Sequence, residues 1–373
     1  MHKRTIQAAC GAVATISGLL AGLATMATAQ AAPALPPPVT VACNDIVGLV
    51  AAITAANGSG AATINLAPNC TYMLTAANNS PLGQGANGLP VVRKTVVLAG
   101  SNTTIERSSS APNFRILEVA GASLNSASLT LQGVTVSGGH TSGLIGNAGR
   151  GGCLLATYTG VLPTSSTLTL QNSAAEDCTA LDGGGIYAGS RASLVLTGSS
   201  VKSNTASSGG GIDVGSSASA TIGHSSVNDN SAGRGGGLRN NGHATLTGST
   251  VAGNSTLIAG GGIYNAGDLF LGASFVLQNS TTLVGGGIYT THGSATHIAA
   301  TRIQFNTSLI RGGGLDNNGS TFLQNSFVIV NTAPIGGGIW EAPSAFIAVV
   351  NSLIAGNTVF NCSPPASVPS CVN

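Results

Sequence analysis

The sequence is short of charge. Only 6% of its 373 residues are Asp, Glu, Lys or Arg, against roughly 25% in an ordinary globular domain. The formal net charge is +2 and no cluster of Lys or Arg occurs. That excludes a basic protein that binds nucleic acid or another polyanion. Aromatic residues make up 4%. No C-x-x-C pair or clustered Cys/His spacing is present, so the common zinc frameworks do not fit. No strict Gly-X-Y period occurs, which removes collagen. After the first 31 residues no long apolar run appears, so no membrane span is expected beyond that point. Low charge is not disorder here, because 43% hydrophobic residues with near-zero net charge can bury a core. What is abundant is glycine, with 54 residues, about twice the usual share.

Residues 1–31 read as a secretory signal. Lys3 and Arg4 form the basic start, an apolar small-residue run extends from Ala8 to Ala27, and Ala29-Gln30-Ala31 fits a cleavage site. A membrane anchor is the competing reading, disfavoured by the Thr, Ser and Gly that interrupt the run. Residues 32–42 then form a Pro-rich linker. Cys10 falls inside the signal and leaves six cysteines, an even number that suggests disulfides in an exported chain. Six cysteines allow 15 pairings. Nearness in sequence favours Cys43–Cys70, Cys153–Cys178 and Cys362–Cys371.

The organising feature is a repeat. Gly-Gly-Gly begins at Gly183, Gly209, Gly235, Gly260, Gly285, Gly312 and Gly336, at intervals of 24 to 27 residues. An asparagine stands five or six places before each triplet after the first, at Asn204, Asn230, Asn254, Asn279, Asn306 and Asn331, and Asn357 continues the series. Cys178 holds that place before Gly183. Three places before each asparagine comes an aliphatic residue, from Val201, Val227 and Val251 to Ile354. Eight places back stand Leu196, Ile222, Leu246, Leu271, Ile298, Leu323 and Val349. Ten places back stand Leu194, Ala220, Ala244, Leu269, Thr296, Thr321 and Ile347. One more aliphatic follows each triplet, from Ile186 to Ile339.

Offsets of eight and ten differ by two, the period of a strand, so both side chains face one way. A unit of this length cannot bury such a face alone, and stacking units buries every column in one core. The spacing predicts an all-β, single-stranded, right-handed parallel β-helix over residues 61–361, regular over 168–360, with three strands and three turns per coil. The triplets would take sharp corners with positive φ. The asparagines would sit at another bend, tolerate left-handed backbone, and hydrogen-bond to one another along the axis. Helical solenoids conflict with the period of two.

The ends need covers. Residues 43–60 contain the one convincing helix, with Asn44 or Asp45 as cap and Ile46, Leu49, Val50 and Ile53 on one face. Residues 362–373 form a tail closed by Cys362–Cys371.

The GGGI repeat with its preceding asparagine resembles the GGAI/FxxN repeats of polymorphic outer-membrane proteins and related exported bacterial proteins of pectin-lyase-like fold. Cys43, Leu49, Ala52-Ile53, Ala56-Asn57, Ile64-Asn65-Leu66, Tyr72, Phe114-Arg115-Ile116 and the run Leu129 to Gly139 extend the resemblance. It implies a fold and not an activity. Those proteins typically continue into a membrane barrel. Only 16 residues follow Asn357, so a freely exported solenoid is expected.

Pectin-degrading enzymes of such a fold need an acidic cluster for Ca²⁺ and a basic residue, or paired carboxylates. Here only Glu176-Asp177 are adjacent acids. The residue after each post-triplet aliphatic should face outward, in a column of Tyr187, Asp213, Arg239, Tyr264, Tyr289, Asp316 and Trp340. Aromatics with Asp and Arg suit sugar rings and hydroxyls; the structural alternative is that these side chains stack on one another over the glycines. Asp213, Arg239 and Asp182 are the catalytic candidates should the protein be an enzyme, with an ion pair as the plainer reading. A threonine array of the ice-binding kind, at Thr130, Thr169, Thr221 and Thr245, is broken by Val195, Phe270 and His297. The expectation is therefore a secreted or cell-surface β-helix that contacts extracellular polysaccharide or cell-surface glycan without catalysis. It needs no cofactor. A polysaccharide lyase or glycoside hydrolase, the lyase with Ca²⁺, is the alternative.

Overall fold

The computed structural model describes residues 37–122, 125–159, 164–365, 367–369 and 371. The signal expected at 1–31 and the first part of the linker lie outside the described residues. From residue 36 onward the chain is one compact unit, a parallel β-helix.

Every regular coil is built alike. In one, Ala192–Thr197, Ser200–Lys202, Thr205–Ser208 and Ile212–Val214 are four successive short strands, and Ser219–Gly223 opens the next coil. Coils pair in parallel at all four positions. The count is four strands where the spacing predicts three. The first and second strands are separated by a bend at Gly198, which takes φ 58°. Earlier in the chain the equivalent Asn102 and Gly133 take φ 53° and 62° within the continuous strands Thr95–Arg107 and Ala127–Ser137. First and second strands therefore belong to one 21-stranded sheet, beside a six-stranded sheet of third strands and a ten-stranded sheet of fourth strands.

The interior files are as the repeat predicts. Val201 pairs with Val227 and Val227 with Val251, and the file runs on through Val276, Ile303 and Val328 to Ile354. All seven are buried, and each such side chain contributes about 1.5–3 kcal/mol over its exposed state. Polar residues enter this interior in the later coils. Thr296 and Thr321 are fully buried and satisfied there, Thr296 by Thr290 Oγ1 at 2.9 Å and by Asn265 Nδ2 at 3.0 Å, Thr321 by Asn317 Oδ1 at 3.0 Å.

The glycine corner explains the repeat. Gly209 has φ 59°, a left-handed conformation that disfavours side chains. A β-carbon on Gly210 would lie 2.4 Å from the carbonyl oxygen of Gly236 in the next coil, and one on Gly211 would lie 2.9 Å from Asn230 Nδ2. So the three glycines answer three demands: a turn, a close backbone approach, and room for an asparagine inside the corner. Each asparagine donates from Nδ2 to the Oδ1 of the next, from Asn204 through Asn230, Asn254, Asn279, Asn306 and Asn331 to Asn357, at 2.9–3.0 Å. Each of these acceptor oxygens also takes the backbone N–H of the asparagine one coil earlier, as in Asn204 to Asn230 at 3.0 Å. The left-handed residue is not the asparagine itself. It is the one before, for example Ser203, Asp229, Gln278 and Val330, which turns the chain so that the asparagine points inward. A second ladder, from Ser173 through Ser199 and Ser225 to Ser249, follows the first strands: each backbone N–H donates to the hydroxyl of the next serine, and the Ser173, Ser199 and Ser225 hydroxyls donate to the carbonyl two residues earlier.

The disulfides join Cys43 to Cys70, Cys153 to Cys178 and Cys362 to Cys371, the pairs that nearness favoured. Cys153 occupies the third-glycine position of its coil, after Gly151 and Gly152, and Cys178 occupies the asparagine position of the next. A covalent bond thus replaces the glycine–asparagine contact where the ladder begins, and Cys178 N–H donates to Asn204 Oδ1 at 3.0 Å.

The helix spans Ile46–Ser59, within the expected 43–60. Asp45 is its cap, accepting from the Gly48 N–H at 2.8 Å. Asn44 instead takes φ 55° and accepts from the Met73 N–H. Leu49, Ala52, Ile53 and Ala56 are buried against the first coils.

Asn279→Ala should strand the Asn254 backbone N–H, which now donates to Asn279 Oδ1 at 3.0 Å, and the Val251 carbonyl that accepts from Asn279 Nδ2. The expected loss is about 2–4 kcal/mol, read as a lower urea midpoint, while Thr221→Ala on the outer face should change it little. Equal midpoints for both variants would contradict a structural ladder.

Candidate functional site

The outward column lies in register on the fourth strands, Tyr187 beside Asp213, then Arg239, Tyr264, Tyr289, Asp316 and Trp340. All seven predicted residues are thus brought into one file. They are not equally open. Tyr187 is 8% exposed and Asp213 and Asp316 are 0% exposed, whereas Arg239, Tyr264, Tyr289 and Trp340 are half-buried. The cause is the neighbouring corner. The first glycine of each triplet leaves a hollow, and the column residue four places on settles into it. A β-carbon on Gly209 would lie 2.7 Å from that of Asp213, and one on Gly312 equally close to that of Asp316.

Across this corner runs a second outward file, Arg150, Asp182, Ser208, Arg234, Ala259, Val284, Arg311 and Ile335. The two files interlock through charge. Arg239 Nη1 is 2.9 Å from Asp213 Oδ2 and 3.8 Å from Asp182 Oδ1, and Arg150 Nε is 3.3 Å from Asp182 Oδ2. Asn241 Nδ2 donates to Asp213 Oδ1 at 3.4 Å. Further along, Asp316 accepts from Arg311 Nε at 2.8 Å and from Asn318 Nδ2 at 2.6 Å. The candidates Asp182, Asp213 and Arg239 therefore form one cluster, and its ion pair is buried on the aspartate side, not a surface pair.

The rings are partly covered by the column itself. Tyr264 and Tyr289 stack with centroids 5.2 Å apart at 18°. The Arg150 guanidinium sits 4.8 Å from the Tyr187 centroid and that of Arg311 sits 3.6 Å from the Trp340 ring. Both tyrosines remain half-buried. Arg239 Nε is buried without a hydrogen-bond partner among the described residues.

Burial pushes the Asp213 carboxyl up to about 7, against the pull of Arg239 and with a smaller push from Asp182. Asp316 is raised by burial and held back by its bond to Arg311. Tyr187 and Tyr289 are raised, chiefly by burial. Among the described residues no three His, Cys, Asp or Glu converge as a metal ion requires.

Two residues that the repeat did not single out matter here. Arg150 precedes Gly151-Gly152-Cys153, the disguised triplet, so extending the period one coil back would have found it. Arg115 is fully buried, with its charge 3.4 Å from Glu118 and its donors on Asn87 Oδ1 and on the carbonyls of Gln84, Asn147, Arg150 and Gly151 at 2.6–3.1 Å. It ties together the loops that wall the N-terminal end of the column. Burial lowers it to about 10 and raises Glu118. No period could reveal it, because the contacts come from loops.

No family model matches the chain, and no curated protein matches it. Among solved structures it is similar to the A-module of the Azotobacter vinelandii mannuronan C-5 epimerase AlgE4, at 15% identity and a TM-score of 0.46, over 84% of this chain and 92% of that one. The AlgE6 A-module from the same organism gives 14% and 0.42, over 83% and 95%. ORF18 of Geobacillus virus E2 gives 13% and 0.40, over 85% and 59%. Likeness at this level carries no argument about activity.

The Asp213 shift sets a pH dependence. Between the ordinary aspartate value and about 7, the folded chain keeps a proton that the unfolded chain has released. Asp213's contribution to stability is therefore complete below that window, falls as pH rises through it, and is flat above it. Asp213→Asn should flatten this part of the melting profile between pH 4 and 7. An unchanged slope would place the titration elsewhere.

Proposed function

We propose that this is an exported, non-catalytic β-helix that binds extracellular polysaccharide along the glycine corner, with Tyr264, Tyr289 and Trp340 as contacts and Arg239, Arg234 and Arg311 beside them. The observation that carries this reading is the repeat distance. Tyr264 and Tyr289 recur at the coil spacing, 5.2 Å between centroids, about the length of one pyranose ring. A linear glycan laid along the axis meets an equivalent position at each sugar. Half-buried tyrosine rings suit sugar rings, and guanidiniums held in place by Asp213 and Asp316 are poised donors. Arg234 is exposed and makes no ion pair among the described residues, so an acidic polysaccharide would find a counter-charge. The three disulfides and the signal-like start support export, as does the resemblance of the repeat to exported GGAI/FxxN proteins.

The cluster of Asp182, Asp213 and Arg239 favours a second reading, a polysaccharide lyase or hydrolase, because a carboxyl held near 7 suits acid–base work. Its side chain, 1% exposed, is out of a substrate's reach, which favours the non-catalytic reading.

Retention of the protein on a panel of neutral and uronate polysaccharides tests the first reading. Tyr264→Ala/Tyr289→Ala and Trp340→Ala should each weaken retention at least roughly tenfold; unchanged retention removes the proposed face. Release of unsaturated or reducing ends from uronates, with or without Ca²⁺, that is lost in Asp213→Ala would establish the enzyme instead.

A further inference from the structure

The second strands keep one shape along the stack while their outer face changes. Ser200–Lys202, Ser226–Asn228 and Thr250–Ala252 pair in parallel, and the register continues through Phe275–Leu277, Arg302–Gln304 and Phe327–Ile329. The first outward position holds Ser200, Ser226 and Thr250 in the earlier coils. In the later ones it holds Phe275, Arg302 and Phe327. The bend after each strand carries Ser203, Asp229 and Gly253 at first and, beyond Gln278, Phe305 and Val330. Pairing and the interior file are the same throughout, so folding does not call for the change.

Phe305 and Val330 run against folding twice. They are 49% and 46% exposed, so packing returns little. Their φ angles of 57° and 55° are left-handed, which is an outlier for a bulky or β-branched residue. Glycine takes the same bend at Gly253 and Gly356. Backbone strain without burial marks a surface kept for use. Phe275 and Phe327 stand on the strands beside them, 44% and 41% exposed, one coil to either side of Arg302. The Arg302 guanidinium lies 5.3 Å from the Phe327 ring centroid. Residues 275–278, 302–305 and 327–330 contain no Asp or Glu, and Arg302 is their one charge.

We propose that this face docks the chain on an anionic lipid bilayer, with the phenylalanines and Val330 entering the interface and Arg302 meeting the headgroup phosphates. The makeup of the face selects this occupant. Each of these strands is paired on both sides, so its backbone groups are spent along the axis and only side chains face out. A protein partner would call for about one hydrogen bond per 100–200 Å², and the face offers little beyond Arg302, Gln278 and Gln304. A bilayer calls for none: apolar side chains enter the acyl boundary, and a nearby cation is drawn to anionic headgroups. A second copy fits poorly, because a two-fold contact centred here sets Arg302 near its own copy with no acid to answer it. The face is separate from the glycine corner, so docking does not depend on glycan binding.

Co-sedimentation of the exported protein with vesicles tests this. Binding to equimolar phosphatidylcholine and phosphatidylglycerol should be about fivefold tighter than to phosphatidylcholine alone, and Arg302→Gln should erase that preference. Phe305→Gly/Val330→Gly should weaken binding to both vesicles at least roughly tenfold, with a urea midpoint that is unchanged or higher because glycine suits left-handed backbone. Phe275→Ser/Phe327→Ser should weaken it likewise without touching the bends. Val47→Ser, on the helix Ile46–Ser59, should leave binding unchanged. A protein that sediments with neither vesicle overturns the proposal. So does binding that both double variants leave intact, and so does an anionic preference that survives Arg302→Gln. A concentration-dependent dimer without vesicle binding, abolished by the two glycines, assigns the face to a second copy instead.

Discussion

How near one coil can sit to the next at the glycine corner is the constraint on which the rest depends. There the backbone of each triplet meets that of the next, and a single β-carbon on Gly210 would intrude to 2.4 Å of a carbonyl oxygen. From Gly184 to Gly313 the equivalent approach stays at 2.3–2.5 Å, which keeps the strands in register along the axis, with one shift in the third strands between Ala232 and Arg234. Parallel pairing, the apolar files and the asparagine ladder follow from that register. The ladder in turn makes the corner hold, since each buried amide uses both its donor and its acceptor on neighbouring coils. An unpaired buried amide costs more than a made hydrogen bond returns, so the ladder is stable as a whole and vulnerable at any rung.

The same corner shapes the candidate site. A turn without side chains leaves a hollow, and the fourth-strand residue fills it. Asp213 and Asp316 sink into that hollow and orient Arg239 and Arg311 from beneath. Tyr187 is buried too, under the Arg150 guanidinium, whereas Tyr264 and Tyr289 stack on each other and stay partly open. One geometric rule thus sorts a uniform column into buried anchors and presented groups. The solenoid also changes character along its length. The early coils rest on the charged hub at Arg115 and a capped end, while the later ones admit buried hydroxyls and amides, show phenylalanine outside and carry no charge beyond Glu341.

Much of this was legible because translation along an axis turns sequence period into spatial contact. Val201, Val227 and Val251 recur at fixed offsets and therefore touch. Where the period is disguised, legibility drops. Cys153 and Cys178 stand in for glycine and asparagine, and reading them only as a near pair misses that their bond occupies a ladder position. The bend at Gly198 was missed as well, although Leu196 and Val201 both face inward at an odd spacing of five, which breaks the strand period of two at that point. The left-handed duty was assigned to asparagine by propensity, but the inward ladder needs its amide, so Ser203 or Val330 takes the strained backbone instead.

By itself the sequence determined the parallel β-helix, the members of each file and the order of the outward column, because each of these depends only on residue type and spacing. Only the tertiary structure decided how deeply each column residue lies, which guanidinium covers which ring, and that Arg115 joins loops distant in sequence. Those outcomes depend on the depth of the corner hollow and on loop placement, and no periodic pattern records either.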